Sequence, residues 1–362
     1  MGVRITRGRT LPIGVDLGTT AAKLAQLKTS DDGISLLGAG AVEIPPEARQ
    51  DFGARLAFLS EGIQKVMRSH QFKGRQSVLA LPARDTFIHH VKVPKLSQED
   101  TAKAVRSELQ GKLPCPVSQS VVRHVVAGEI YGEGEAKQEV IAVSVPRATL
   151  DGYLTMAKRA RLDVVGVNVE CCAVVECFSR LFRRNADASR TIMFVDLGCS
   201  STQVVLSHGC RIAFARNLSI GGNDLDKAVA DGMDIPPEQA HAMRRDLEGN
   251  GKDQAVEDTV YHLLEGPINA LVEQITQCLR YHESVFRNQG IERAIFMGGQ
   301  AYYKRLCQTI AQQLNLPAQI ADPLMRVKRL NGAGLEYGLD RREPQPDWAV
   351  AVGLSLGTLE SA

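Results

Sequence analysis

Apolar positions along the chain change their period repeatedly, and each change marks an element. Residues 13–15 form a short apolar run ending at Asp16, and small and apolar residues resume over 21–27. This pattern predicts two strands joined by a tight turn at Gly18-Thr19-Thr20. A helix is expected over 55–69, and "QSVLALP" reads as a buried strand stopped by Pro82. In "LSQEDTAKAVRSELQGKLP", Ser97 stands three residues before Asp100 in the manner of a capping box, and Pro114 supplies a stop. A helix over 97–113 follows. "SVVRHVVAGEI" and "EVIAVSVP" predict strands around the loop "YGEGEAKQ", residues 149–161 a helix, "DVVGVNV" a strand and "ECCAVVECFSRLF" another helix. Helix, two strands, helix and strand make a small α+β unit over about 96–165.

The polar stretch 183–190, "RRNADASR", is the expected boundary between halves. Beyond it "TIMFVDLG" and "STQVVLSHGCRIAFARNLSI" repeat the strand, turn, strand theme, and "DIPPEQAHAMRRDLEG" starts a helix behind a double proline. Leu264, Ile268, Leu271, Ile275 and Leu279 recur at steps of three and four, one apolar stripe of a long helix that reads as core. "RAIFMGG" is a strand running into two glycines, and "DWAVAVGLSLG" is the last ordered pattern.

Composition narrows the function. With 362 residues the chain can hold two domains or one large bilobal one. Its 43 basic and 41 acidic residues give a formal charge of +2 without long blocks of either sign, which excludes a mainly electrostatic nucleic-acid binder. Eight cysteines show neither a CxxC pair nor zinc spacing and read as reduced thiols, Cys171, Cys172 and Cys177 packed on a helix face. No apolar run reaches the roughly 18 residues of a membrane helix, and no signal-peptide core is evident. A cytoplasmic location is expected. His89-His90 lacks a nearby acid or thiol set and reads as strand surface rather than a metal site.

The repeat of "IGVDLGTTAAKLAQLK" in "FVDLGCSSTQVVLSHG" carries the chemistry. Gly18 and Gly198 permit sharp turns whose backbone amides can approach an anion, while Thr19, Thr20, Ser200, Ser201 and Thr202 add hydroxyl donors. Asp16 and Asp196, just ahead of the turns, suit magnesium held through water. Lys23 can offset phosphate charge. Each motif alone is more often only a turn; two at corresponding places, followed by Gly298 and Gly299, suggest a nucleotide clamped between two lobes. Gly221 and Gly222 either bring amides towards phosphate or form a turn before a helix. Glu170 either opens a helix as an ordinary acidic first-turn residue or acts at the cleft.

The motifs "GVDLGTTAAK", "VDLGCSSTQVV" and "FMGGQAYYKRL" together resemble the two phosphate loops and the adenosine motif of the actin-like ATPase superfamily. Within it, "VKVPKLSQEDTAKAVRSELQGKLPCP", "VGVNVECCAVVECF", "FARNLSIGGNDLDKAV" and "AVGLSLG" resemble the PilM family of type IV pilus assembly proteins and, next, FtsA. The resemblance implies an α/β fold of two RNase H-like lobes: a first lobe over 1–188 with the α+β unit inserted, a second over 189–345 with a helical part at about 224–289, and a segment over 346–362 returning to the first. It implies ATP and magnesium as cofactors, with Gly298, Gly299 and Gln300 at the adenosine. It implies a partner, the cytoplasmic tail of a PilN-type inner-membrane protein, possible self-association into a ring, and membrane association only through partners. Glu170 would position attacking water. FtsA-type proteins carry Ala-Glu-x-x-Lys where this chain reads Ala240-His241-Ala242-Met243-Arg244; the basic contact falls to Arg244 and the ribose acid is lost, so hydrolysis is expected to be slow or absent. Gln300-Ala301 and Asp226 also depart from the pattern. Two alternatives stand beside this reading: a small-molecule kinase of the superfamily, for which no acceptor-site constellation is evident, and an FtsA-like filament protein, against which "GLSLGTLESA" lacks a basic amphipathic face.

Overall fold

The computed structural model describes residues 8–69, 71–130, 136–180, 190–247, 253–286, 289–330, 334, 339 and 343–357. The expected boundary at 183–190 lies almost wholly outside these residues.

Strands β1 (Arg9–Leu17), β2 (Ala21–Ser30) and β3 (Gly33–Glu43) form an antiparallel meander. Short helix α1 (Pro46–Arg49) and helix α2 (Phe52–Ser69) lead to β4 (Gln76–Leu81), which lies parallel to β1. Ile13, Val15 and Leu17 pack with Leu59 and Ile63 of α2 on one side, while Leu11, Ala25 and Leu27 join a second apolar cluster. A strand covered on both faces is continuously apolar rather than alternating, which explains the pattern of β1.

Next come β5 (Phe87–Pro94), α3 (Gln98–Glu108), β6 (Ser120–Ile130), β7 (Lys137–Pro146), α4 (Arg147–Arg159), β8 (Asp163–Val169) and α5 (Glu170–Ser179). The expected unit at 96–165 is divided differently here. β5 pairs with β7 along its whole length, from Phe87 opposite Ser144 to Pro94 opposite Lys137, so the small sheet β5-β7-β6 begins before residue 96. β8 instead pairs parallel with β4, and Tyr153, Met156 and Leu162 sink into the first-lobe core, so α4 and β8 belong to that lobe. Long-range pairing, which local pattern does not encode, decides both. α3 covers the small sheet through Val105 and Leu109, packed with Val91, Val93, Val122 and Val140. Its start is as expected, Ser97 Oγ accepting from the Asp100 amide at 3.2 Å. Its end comes at Glu108 rather than Leu113, and Gly111 then takes the left-handed φ of 73° that turns the chain before Pro114.

The second half repeats the meander as β9 (Thr191–Leu197), β10 (Thr202–His208) and β11 (Arg211–Leu218). Helices α6 (Gly222–Met233), α7 (Pro237–Asp246) and α8 (Gln254–Val285) precede β12 (Ile291–Met297), α9 (Lys304–Leu314) and β13 (Ala318–Ile320). Leu264, Ile268, Leu271 and Ile275 of α8 are core residues, with Leu279 packed at its margin. The two large sheets read β3-β2-β1-β4-β8 and β11-β10-β9-β12-β13 in the same order and sense, the first extended by β14 (Lys328–Arg329). Equivalent topology places the C-terminal ends of β1 and β9 at equivalent points of their lobes. Helix α10 (Ala349–Leu356) then packs across β1 so closely that a Cβ on Gly14 would stand 2.0 Å from the Ala351 carbonyl oxygen.

Candidate functional site

Asp16 and Asp196 occupy these two strand ends, and each strand turns back through a glycine hairpin. In the second hairpin the Gly198 amide donates to the Ser201 carbonyl at 3.0 Å. The two tips meet across the lobes: the hydroxyls of Thr19 and Ser200 are 2.9 Å apart. The first tip is held from behind by Arg55, fully buried in α2, which donates to the carbonyls of Thr19 at 3.0 Å, Leu17 at 3.0 Å and Gly18 at 2.7 Å. Sequence reading missed Arg55, although a signal existed: it stands on the same apolar stripe as Leu59, Ile63 and Val66. A charged side chain in such a stripe must find acceptors inside.

The second tip is held by the start of α6. The Thr202 hydroxyl donates to the Ile220 carbonyl at 2.7 Å, the Gly222 amide to Gly198 at 3.0 Å, the Asn223 amide to Cys199 at 2.7 Å, and the Gly221 amide to Asp224 Oδ2 at 2.8 Å. The Gly222 amide and the Thr202 hydroxyl thus hold the hairpin and the Gly221 amide caps α6, as in the reading of these glycines as a turn before a helix. Arg244 is placed differently from the expected base contact. It is buried, paired with Asp226, and donates to Gln300 Oε1 at 2.7 Å and to the Gly222 carbonyl at 3.2 Å. Asp226, read as a departure, is the counter-charge of this arginine and also lies 2.9 Å from His241 Nδ1. Gln300 therefore orients Arg244, and the guanidinium lies 4.8 Å from the Tyr303 ring centroid.

Lys23, opposite Asp16 in the hairpin, forms a 2.7 Å ion pair with Asp347 and also donates to the Asp347 carbonyl at 3.0 Å. Asp347 accepts a further bond from Tyr302 at 2.7 Å. Asp347 stands just before α10 and carries no local sequence signal. It completes a cluster of acids around one ammonium. Burial above all pushes Asp16 up to about 7, with Lys23 opposing and Asp196 and Asp347 adding to the rise. Burial likewise lifts Asp196 to about 6, against Lys23 and with Asp347. Glu170, first residue of α5, is raised well above the carboxylate range by burial and then by Asp16 and Asp196, while a hydrogen bond from the Ala83 amide pulls the other way. Gly298, at the end of β12, closes the floor: its φ is 84°, and a Cβ there would stand 2.3 Å from Asp196 Oδ1. Only glycine suits that position.

Buried like charges raise each other's pKa until a cation relieves them, and hard carboxylate oxygens favour a hard ion such as magnesium. Among the described residues, no group of three or more His, Cys, Asp or Glu side chains could cage an ion. Two carboxylates from two lobes fit an ion that keeps its waters and shares phosphate oxygens. The residues present therefore fit magnesium and a phosphate chain between the hairpins.

A second network ties the small sheet to the second lobe. Glu139 of β7 is fully buried; its Oε1 lies 2.8 Å from His90 Nδ1 and accepts from Tyr281 of α8 at 2.6 Å. His90 Nε2 lies 3.1 Å from the Ala215 carbonyl of β11, and the ring stacks on Phe214 at 4.6 Å. His90, expected on a strand surface, is an inter-unit contact.

Known proteins share this architecture. A chain of the PilM-PilN type IV pilus biogenesis complex superposes with a TM-score of 0.78 at 20% identity, over 96% of this chain and 98% of that one. The ethanolamine utilization protein EutJ from Carboxydothermus hydrogenoformans gives a TM-score of 0.54 at 14% identity, over 96% and 89%. In sequence, the cell division protein FtsA of Bacillus subtilis (strain 168) is 19% identical over 356 residues, 86% of this chain and 79% of that protein. The fold is the bilobal α/β fold of the actin-like ATPases. The profile of the family described as type IV pilus assembly protein PilM matches residues 14–359, nearly the whole length, and the chain belongs to that family.

Proposed function

We propose that this protein is a cytoplasmic ATP-binding component of a type IV pilus or related secretion machine, and that it holds the cytoplasmic tail of a PilN-type inner-membrane protein. The observation that carries the nucleotide half is the convergence of Asp16 and Asp196, pushed up to about 7 and about 6, beneath two hairpin tips in contact at 2.9 Å. Asp16 and Asp196 would hold magnesium through water, and Thr19, Thr20, Ser200 and Ser201 would face phosphate. Magnesium, when bound, supplies positive charge that neutralises both the carboxylates and the phosphate oxygens. Lys23 exchanges its Asp347 counter-ion for phosphate. Burial, and then the neighbouring Asp16 and Asp196, raise the Glu170 carboxyl well above the ordinary carboxylate range, a shift towards the form that cannot accept a proton, which supports slow or absent hydrolysis.

The tail half rests on two open sheet edges. β8 is the outer strand of the first sheet and carries Val165 and Val167 at 50% and 41% exposure; β6 is the outer strand of the small sheet and carries Val125 at 41%. Unpaired edges with exposed valines suit an extended peptide. The relative with the highest structural similarity cited above comes from a complex with PilN. No helix among the described residues is long and apolar enough to cross a membrane. Replacing Val165 and Val167 by glutamate should abolish binding of a synthetic tail peptide and leave ATP binding intact; unchanged peptide affinity would refute the assignment.

A further inference from the structure

Two stretches of the first lobe carry positive charge and no acid. Residues 62–76 include Lys65, Arg68, Lys73 and Arg75, residues 152–162 include Lys158, Arg159 and Arg161, and neither stretch contains Asp or Glu. The chain as a whole balances 43 basic against 41 acidic residues, so the imbalance is local, and the fold adds the two stretches together. Gln64 of α2 donates to the Arg159 carbonyl at the end of α4 at 3.4 Å, Arg75 Nη1 to the Arg161 carbonyl at 3.0 Å, and the Asp163 amide to the Arg75 carbonyl at 2.8 Å. Gln26 fixes the link before β4, accepting from the Lys73 amide at 2.7 Å and donating to its carbonyl at 2.8 Å. These basic residues are all exposed. Among the described residues no carboxylate forms an ion pair with any of them.

Basic residues in the last turn of a helix complement its dipole, which accounts for Arg68, Lys158 and Arg159. It does not account for Lys73, Arg75 and Arg161, which lie outside the helices. Arg161 takes a left-handed φ of 62° in the turn that ends α4; its amide donates to the Lys158 carbonyl at 3.0 Å and the Leu162 amide to the Ala157 carbonyl at 3.0 Å. Glycine or asparagine usually fills that position, and here a cation does.

We infer that this end of the first lobe is a docking surface for the anionic phospholipid headgroups of a membrane, a direct contact that goes beyond attachment through a partner. None of these side chains lines the cleft of about 710 Å³ beside the hairpin tips or the cleft of about 720 Å³ between α9 and β13. Unneutralised charge spread over the ends of two helices and the start of a sheet matches an extended negative surface, and each Lys or Arg near an anionic bilayer is drawn to it. The place of the patch favours a membrane over an acidic protein. β8 begins at Asp163, two residues after Arg161, and runs to Val169, which leads into Glu170 at the interlobe cleft. A partner tail lying along β8 has one end at that cleft and the other at the patch, so its membrane-bound portion leaves past the patch. This orientation rests on the tail site proposed at β8; the charge of the patch does not.

The test is co-sedimentation of the full chain, without partner peptide or nucleotide, with vesicles of phosphatidylcholine alone or mixed with phosphatidylglycerol. Two triple variants are compared with the parent: Lys73→Glu/Arg75→Glu/Arg161→Glu in the patch, and Lys103→Glu/Arg106→Glu/Lys112→Glu on and just after α3, which makes the same change in net charge at exposed positions elsewhere. Thermal unfolding confirms that each is folded. The expected result is binding of the parent to the anionic vesicles only, lost when salt shortens the Debye length from about 10 Å to about 3 Å. The patch variant should bind at least about tenfold more weakly, and the α3 variant should bind within about threefold of the parent. Equal binding by parent and patch variant overturns the proposal, and so does an equal loss in both variants, which would reduce the effect to net charge. A parent that ignores the anionic vesicles but binds polyglutamate through the patch overturns it in favour of an acidic protein partner. Vesicle binding through the patch, with tail-peptide affinity unchanged in Val165→Glu/Val167→Glu, removes the tail site at β8 and leaves the membrane surface standing.

Discussion

Replacing Asp16 by asparagine should make the unliganded protein more stable, by an amount that grows as pH rises from about 4 to 7. The folded chain raises this carboxyl from 3.8 to about 7, so it binds a proton more tightly folded than unfolded. Stability then falls as pH rises between about 4 and 7 and levels off above the folded value. Each unit of pKa corresponds to about 1.4 kcal/mol, which makes the cost of ionised Asp16 at pH 8 about 4 kcal/mol, and relaxation of the cleft reduces it to about 2 to 4 kcal/mol. Asparagine preserves the shape and removes the charge. Urea denaturation of parent and variant at pH 8 and pH 4.5, without nucleotide and with chelator, reads the difference directly. The low pH leaves His208 and His282, both held down to about 4 by burial, to cancel between the two proteins. The expected outcome is a higher midpoint for the variant at pH 8, with the difference reduced to about a quarter at pH 4.5. A variant destabilised equally at both pH values would show that Asp16 is not a strained acid and would refute the reasoning.

Arg55→Met should lower stability by about 3 kcal/mol or more, because it strips three buried or half-buried carbonyls of their donor, and it should weaken ATP binding more than Arg55→Lys does in calorimetry. Gly298→Ala should cost several kcal/mol in thermal unfolding, because the added methyl group meets Asp196 at a backbone angle that favours glycine; a loss below 1 kcal/mol would show that the floor yields. Tyr281→Phe should cost about 1 to 2 kcal/mol in urea denaturation by leaving buried Glu139 with one donor fewer; an unchanged midpoint would mean that this bond does not help tie the small sheet to the second lobe.

Much of this architecture was legible because the protein writes its central hairpin twice. Asp16 with Gly18 and Asp196 with Gly198 reveal paired lobes before any strand is placed, and the Ser97 cap marks the start of α3. What escaped depends on contacts distant in sequence. The partition of β5 and β8 between sheets is set by pairing with β7 and β4, and no local period distinguishes one partner from another. Asp347 reaches Lys23 across 324 residues. Arg244 was legible as a candidate basic contact to the base but not as the partner of Asp226, because a charge on a helix carries no indication of whether solvent or a buried acid receives it.

The central claim is that the two hairpins form one magnesium-dependent ATP site, and calorimetric titration of ATP with and without magnesium, on the parent and on Asp196→Ala, tests it most directly. The account predicts saturable binding by the parent that weakens at least about tenfold when magnesium is chelated, and weakens similarly in Asp196→Ala even with magnesium present. Equal ATP affinity in parent and variant, or affinity indifferent to magnesium, would contradict it.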